Sequence, residues 1–120
     1  MLKEGLESNS EPRSFWKTSE FKQAQDLHTG SIVTIMLGTN DAKQINLENF
    51  KISFKKDYAE MINQFGNATK IFVCIPPPLF GEPFTMSPEI INEVLPKMIK
   101  EISLENKVQI IDLHSVFEGK

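Results

Sequence analysis

The sequence predicts an α/β fold in which about three parallel strands alternate with helices. Apolar runs of strand length occur at residues 32–37, 70–75 and 107–113, and segments with helical apolar periodicity separate them. Each run is continuously apolar rather than alternating, which is typical of parallel strands that crossover helices cover on both faces. The predicted order is helix–strand–helix–strand–helix–strand.

The composition limits the size of the fold and the class of partner. The 120 residues suffice for one domain at most, and 40 % hydrophobic with 24 % charged residues predicts a modest globular core. The net charge of −3 and the scattered basic residues argue against a nucleic-acid partner, which requires clustered positive charge. No apolar run reaches membrane-span length and residues 1–8 contain no signal-peptide core, so we expect no membrane partner and a cytoplasmic location. An N-terminus further upstream would leave secretion open.

The sequence predicts neither a metal nor another cofactor. Cys74 is the single cysteine and lies in the apolar run 71–75, so we expect a buried core residue that forms no disulfide within the chain. The two histidines have no cysteine or carboxylate cluster at ligand spacing around them. We expect a structural role for His114, and at His28 a partly positive ring that favours the dipole of the helix it ends.

Residues 1–17 are predicted to form an N-terminal arm or loop, and residues 18–120 the α/β domain. The arm contains a glycine, a proline and several serines, and its Phe15-Trp16 pair is expected to pack onto the domain as a local anchor. Thr18 or Ser19 can cap the first helix of the domain.

The second predicted helix has the clearest periodicity in the chain. Asn46 can cap it, and Gly66-Asn67 ends it. Its apolar residues recur at spacings of three and four and form one stripe: Leu47, Phe50, Phe54, Tyr58, Met61, Ile62 and Phe65.

Prolines mark the second half of the chain. Three of them, at 76–78, stop the strand 70–75, and the loop 79–85 that follows is either the rim of a substrate cleft or simple surface packing. Ser87 can cap the third helix, which is predicted to run to about residue 104 with a kink or a split at Pro96.

A small polar turn, Gly38-Thr39-Asn40-Asp41, ends the first predicted strand. Side chains that follow a buried strand lie at the carboxyl edge of an open α/β sheet, where such folds bind their ligands. The Asn40 amide can direct an N–H at a developing oxyanion, and one such donor contributes about 3–4 kcal/mol of transition-state stabilisation. Alternatively, Asn40-Asp41 only forms an Asx turn that caps the next segment.

This turn, placed after residues 32–37, resembles the third sequence block of the SGNH (GDSL-type) hydrolases. Three further segments resemble the central part of that family in order and spacing, especially members similar to carbohydrate acetylesterases: Ser14-Phe-Trp-Lys-Thr, Ile71-Phe-Val-Cys-Ile-Pro-Pro-Pro and Ile110-Ile-Asp-Leu-His-Ser. The resemblance implies a three-layer, flavodoxin-like fold, here incomplete, and ester hydrolysis as the family's activity.

The resemblance implies a direct catalytic role for one residue of this chain. Asn40 corresponds to the family's side-chain oxyanion donor, with Gly38 and Asp41 as supports of the turn. The family's Gly-Asp-Ser and Asp-x-x-His blocks do not occur in the sequence. Met1 is placed just after the expected second block, and Lys120 before the expected Asp-x-x-His block.

Two main hypotheses follow from the resemblance. In the first, the chain is a segment of a serine ester hydrolase for small acyl esters or acetylated sugars, and is inactive without the missing blocks. In the second, it is a catalytically inactive protein that binds a partner or an acylated ligand in the same cleft; a truncated product without function is a third. Loss of a central strand would expose apolar sheet and helix faces, so we also expect the isolated chain to be marginally stable or to self-associate.

Overall fold

Strands and helices alternate in the order that the sequence predicts. A computed structural model describes Leu6 and residues 15–39, 41–42, 47–80 and 87–117. Its helices and strands in these residues are α1 (Ser19–Leu27), β1 (Ile32–Ile35), α2 (Leu47–Asn63), β2 (Lys70–Ile75), α3 (Leu95–Asn106), β3 (Gln109–Asp112) and α4 (Leu113–Phe117). None of the described helices is both long and apolar enough to cross a bilayer.

The three strands form one parallel sheet in the order β1-β2-β3, which confirms the predicted fold class. Thr34 of β1 is level with Phe72 of β2, and Phe72 is level with Gln109 of β3. Because neighbouring strands are consecutive in the chain, α2 and α3 are the crossover connections between them. β1 ends at Ile35, two residues before its predicted end.

Thr18 caps α1, and the aromatic pair before it lies on the domain. The Thr18 hydroxyl oxygen accepts a hydrogen bond from the Phe21 backbone N–H at 3.1 Å. The Trp16 ring packs edge-on against Phe21 with the ring centroids 5.3 Å apart. The predicted anchor at residues 15–16 is therefore confirmed.

His28 connects the end of α1 to the turn after α2. Its Nε2 accepts a hydrogen bond from the Asn67 backbone N–H at 3.4 Å, and its Nδ1 lies 2.6 Å from the Gln25 carbonyl oxygen. The imidazole thus bridges two backbone segments. The partly positive ring expected from the sequence stays a prediction.

The core lies between the sheet and the pair α2 and α3. Val33, Ile35, Val73 and Ile75 share one face of the sheet and belong to this core. The helices contribute large side chains that are almost completely buried: Phe54, Tyr58 and Met61 from α2, and Leu95, Ile99 and Ile102 from α3. The predicted stripe from Phe50 to Phe65 is therefore core; the side chain of Leu47 lies outside the described residues. Its proposed cap, Asn46, lies outside the described residues.

Pro96 shapes the start of α3. A π-helical turn, Ile90–Val94, leads into the helix, and Leu95 N–H donates to the Ile90 carbonyl oxygen. Proline lacks an N–H and its ring collides with the preceding turn of an α-helix, so the wider π turn relieves this conflict. The helical run is therefore continuous from residue 88 to Asn106, and the predicted irregularity at Pro96 is a π turn that ends just before Leu95 rather than a split. Ser87 caps the segment as predicted, since its hydroxyl oxygen accepts from Ile90 N–H at 3.3 Å.

The other face of β1 is open to solvent. Ile32 is 67 % and Met36 55 % exposed, and Thr34 between them is also exposed. On β2 the same face continues with Phe72, which is half-buried and lies beneath the Lys70 ammonium, 5.9 Å from its ring centroid. The expected helical cover of both faces is therefore not present over this part of β1 in the described residues. An exposed apolar sheet face was expected and is found.

This open face predicts concentration-dependent self-association of the 120-residue chain. Replacing Ile32 and Met36 together by lysine should give a monomer, because two buried charges would oppose any contact made by this face. Light scattering coupled to size exclusion measures the mass over a dilution series. Leu104→Lys is the matched control, since Leu104 is 80 % exposed on α3. A wild-type chain that stays monomeric at every concentration would contradict the prediction.

Candidate functional site

Three connecting segments meet at the carboxyl edge of the sheet. Residues 36–42 follow β1, residues 76–80 follow β2, and α4 follows β3. Open parallel sheets bind their ligands at this edge. Of the predicted site residues, Gly38 and Asp41 are described here, and Asn40 lies outside the described residues.

Gly38 lets the turn after β1 approach the core helices closely. Its φ is +125°, a conformation that side chains rarely adopt. A Cβ at this position would lie 2.9 Å from Leu95 Cδ1 and 3.2 Å from Phe54 Cζ, and both of those side chains are buried. Glycine is therefore required at position 38 for two reasons: a side chain would collide with Leu95 and Phe54, and the positive φ is unfavourable for other residues.

Backbone hydrogen bonds close the turn and attach it to the third helical segment. Ala42 N–H lies within hydrogen-bond distance of the carbonyl oxygens of Gly38, at 3.1 Å, and Thr39, at 3.2 Å. The Ala42 carbonyl oxygen accepts from Ser87 N–H at 3.2 Å. The turn is thus bonded to the residue that caps the π turn.

Asp41 reaches beyond its own turn. Its carboxylate is 3 % exposed, and Oδ1 accepts a hydrogen bond from the Leu6 backbone N–H at 2.6 Å. Leu6 is itself completely buried. The sequence analysis expected Asp41 to support the turn; the structure adds a bond to a residue 35 positions earlier in the chain.

A buried tyrosine lies beneath the end of β1. Tyr58 is 0 % exposed, and its hydroxyl donates to the Ile35 carbonyl oxygen at 3.3 Å. Burial, and next the nearby Cys74, raise the pKa of Tyr58 far above its usual value; the Leu37 backbone N–H lowers it by less. The hydroxyl therefore stays protonated and serves as a partner for the strand where its ladder ends.

Asn92 holds the segment after β2. Its Oδ1 accepts from Leu79 N–H at 2.7 Å, and its Nδ2 donates to the Leu79 carbonyl oxygen at 2.8 Å. The neighbouring Phe80 is 73 % exposed. Residues 79–80 are thus anchored at the edge of the candidate site, and the rest of the predicted loop, 81–85, lies outside the described residues.

The start of α4 is capped by Asp112. Its carboxylate accepts hydrogen bonds from Ser115 N–H at 2.9 Å and from the Ser115 hydroxyl at 2.8 Å. Partial burial raises the pKa of Asp112, but these two bonds, together with nearby charge that includes Lys100, hold the pKa below its ordinary value. His114 is buried in α4. Asp112 is therefore engaged as a helix cap with Ser115, and His114 lies two residues after it rather than three.

Away from this edge, the described residues form a cleft that lacks titratable side chains. An apolar cleft of about 240 Å³ lies between α1 and β1, and none of its lining side chains titrates: Phe15, Ala24, Val33, Thr34, Ile35, Met36, Leu37, Met61 and Phe65. In the described ranges, no three His, Cys, Asp or Glu side chains are grouped so as to hold a metal ion.

Sequence reasoning missed three contributors to this edge. Leu6 carries no signal, because its role is a backbone bond to a distant residue. Asn92 had a weak signal, as an amide within an apolar helix pattern, and the hydroxyl of Tyr58 had one as the only polar atom in an otherwise apolar stripe.

The chain matches known proteins over nearly its whole length. The family model of the GDSL-like lipase/acylhydrolase family matches residues 9–120. The fold is similar to that of a carbohydrate acetylesterase from Sinorhizobium meliloti, with a TM-score of 0.66 and 23 % identity over 92 % of this chain and 59 % of that one. It is also similar to an aryl esterase from M. smegmatis, with a TM-score of 0.70 and 21 % identity over 95 % of this chain and 60 % of that one. No curated protein sequence matches. The chain thus spans about 60 % of the length of these solved structures.

The contacts of Gly38 predict a larger loss of stability for Gly38→Ala than for Gly30→Ala. Both glycines have positive φ, but a Cβ at Gly30 would meet no atom within 4 Å. We expect a loss of about 1 kcal/mol at Gly30 and about 2–4 kcal/mol at Gly38, where overpacking adds to backbone strain. Urea unfolding measures both, and the effect on the unfolded chain is common to the two variants. Equal losses would show that the close approach to Leu95 and Phe54 is absent.

The burial of Tyr58 predicts the pH dependence of its ionisation. Tyr58 is the single tyrosine, so the phenolate absorbance of the chain reports on it alone. Because the pKa of Tyr58 is raised in the folded state, ionisation at about pH 10 is open only to the unfolded chain, and stability should fall as pH rises above that value. Tyr58→Phe should remove this part of the pH dependence. A folded chain that shows phenolate absorbance near pH 10 would contradict the prediction.

Proposed function

Because the chain belongs to the GDSL-like lipase/acylhydrolase family, we propose that it is a segment of an ester hydrolase that transfers small acyl groups through a serine, with acetylated sugars among its substrates. The single observation that carries the proposal is the family match over residues 9–120. The similar folds of a carbohydrate acetylesterase and an aryl esterase support an ester as the substrate class.

Asn40 is proposed as the residue of this chain that contacts the reacting atoms. In the reaction, a serine oxygen attacks the ester carbonyl carbon, a histidine oriented by an aspartate takes the serine proton, and the carbonyl oxygen becomes an oxyanion. The Asn40 side-chain N–H then donates to that oxyanion, where a donor is most effective because the charge is new. Gly38 and Asp41 are proposed as supports of the turn on either side.

The nucleophile and the base are proposed to come from outside these 120 residues. Neither Gly-Asp-Ser nor Asp-x-x-His occurs in the sequence. Among the described serines, Ser115 donates to Asp112 and Ser103 donates to the Val108 carbonyl oxygen. The intact mass of the endogenous protein tests this directly, because a mass well above 13.7 kDa is required by the proposal.

The absence of the Gly-Asp-Ser and Asp-x-x-His motifs also favours a second function. As a binding protein, the chain would hold an acylated ligand or a partner at the same edge and would not hydrolyse it. A ligand that is retained by the wild-type chain, released by Asn40→Ala and never hydrolysed would support binding over catalysis. The open face of β1 is proposed as a self-association surface in either case.

Asn40→Ala in the protein that contains this segment should lower kcat/KM for p-nitrophenyl acetate by roughly 10²–10³-fold. KM should change little, because the bond to the oxygen is strongest in the transition state. Asn67→Ala is the matched control, since Asn67 is an exposed asparagine in the turn before β2, at the opposite edge of the sheet. Equal activity of the wild type and the Asn40 variant would contradict the oxyanion role of Asn40. If the longest natural form hydrolyses no ester, the proposed reaction is contradicted as well.

A further inference from the structure

Leu6 is held at both of its backbone polar groups by side chains. Its N–H donates to Asp41 Oδ1 at 2.6 Å, and its carbonyl oxygen accepts from Trp16 Nε1 at 3.4 Å. Its side chain is completely buried in the main core cluster. An N-terminal residue that was expected in an arm is thus fixed by contacts of three kinds.

The Trp16 donor and the Asp41 acceptor that hold Leu6 are themselves held in place. The Trp16 ring packs on Phe21, which belongs to the core cluster. Asp41 follows β1 and precedes Ala42, whose N–H and carbonyl oxygen are bonded to the turn and to Ser87. The peptide at Leu6 therefore connects the aromatic cluster before α1 with the turn after β1.

The bond to Asp41 is the stronger of the two. It joins an amide to a carboxylate at short distance, and such charge-assisted bonds are about twice as strong as neutral ones. A carboxylate that is 3 % exposed also loses its hydration, so its hydrogen bonds to the protein are the compensation. Removing the Leu6 contact would leave Asp41 less well satisfied and would loosen its place in the turn.

We propose that Asp41 and Trp16 form a clamp on the Leu6 peptide that positions the turn carrying Asn40. Asp41 is then a positioning residue: it acts on the site through its neighbour Asn40 and touches no substrate. Leu6 becomes a constant part of the carboxyl edge of the sheet. The inference rests on the proposed function only in giving Asn40 its role.

Amide exchange and NMR spectra of the ¹⁵N-labelled chain test the clamp without any turnover. Asp41→Ala should speed exchange of the Leu6 amide by roughly tenfold to a hundredfold relative to the Ile99 amide of the core. Asp41→Asn should restore part of the protection, because its Oδ1 still accepts from Leu6 N–H but without the charge that strengthens the bond. Unchanged Leu6 exchange in Asp41→Ala would overturn the clamp.

A second pair of variants separates positioning from general loosening. Trp16→Phe keeps an aromatic ring and removes the donor to Leu6, and should shift the Asn40 side-chain amide signals although the two residues are far apart in the sequence. Phe15→Leu disturbs the same aromatic cluster, in which Phe15 and Phe21 lie 5.8 Å apart, but leaves the indole donor in place. It should leave the Asn40 signals where they are. Equal shifts in both variants, or none in Trp16→Phe, would overturn the positioning role.

These results also remain distinct from those on the proposed function. If the protein does not hydrolyse esters but its Leu6 amide is protected from exchange, the proposed reaction is contradicted and the clamp is supported. An active esterase whose Leu6 amide exchanges freely would remove only the clamp. If Asp41→Ala does not fold, the comparison of Trp16→Phe with Phe15→Leu decides alone.

Discussion

The candidate site depends on the close approach of the Gly38 backbone to the side chains of Leu95 and Phe54. At this point the end of β1 touches both core helices, because Phe54 belongs to α2 and Leu95 is the first residue of α3. Protein interiors are packed as tightly as organic crystals. Because β1, α2 and α3 meet here without a gap, the turn after β1 can occupy only one position. A larger residue at 38 would separate them, and every later contact of the turn would move with it.

Side chains supply the backbone partners that the sheet lacks at its carboxyl edge. A strand that ends in a buried place leaves carbonyl and amide groups that must be satisfied. The Tyr58 hydroxyl does this for Ile35, Asn92 for both polar groups of Leu79, and Asp112 for the Ser115 amide. A polar side chain thus holds the end of β1, and two others hold the segments that follow β2 and β3. Tyr58 and Asn92 come from other parts of the chain, whereas Asp112 is the last residue of β3.

Local signals in the sequence predicted the elements, and long-range contacts limited what it could predict of the site. The strands, the stripe of α2 and the caps at Thr18 and Ser87 follow from spacing within a few residues, and these predictions were confirmed. The bond between His28 and Asn67 was not predicted, because the two residues are distant in the sequence. The role of Leu6 could not be predicted for the same reason, because every residue type other than proline has a backbone amide and the sequence does not show its partner. The role of Asn40 stays a prediction from the turn motif and the family.

The turn after β1 takes its order from contacts outside the sheet. β1 has four paired residues, its ladder is formed with β2 on one side, and the face that carries Ile32 and Met36 is exposed. A short strand with one neighbour holds its end weakly, since few hydrogen bonds oppose local opening there. What fixes Gly38, Asp41 and Ala42 is instead the packing of Gly38, the bond from Ser87 to Ala42, and the bond from Leu6 to Asp41. An oxyanion donor is effective only when it is oriented before the charge develops. The preorganisation proposed for the turn therefore depends on the core helices and on Leu6, because they hold Gly38 and Asp41 on either side of position 40.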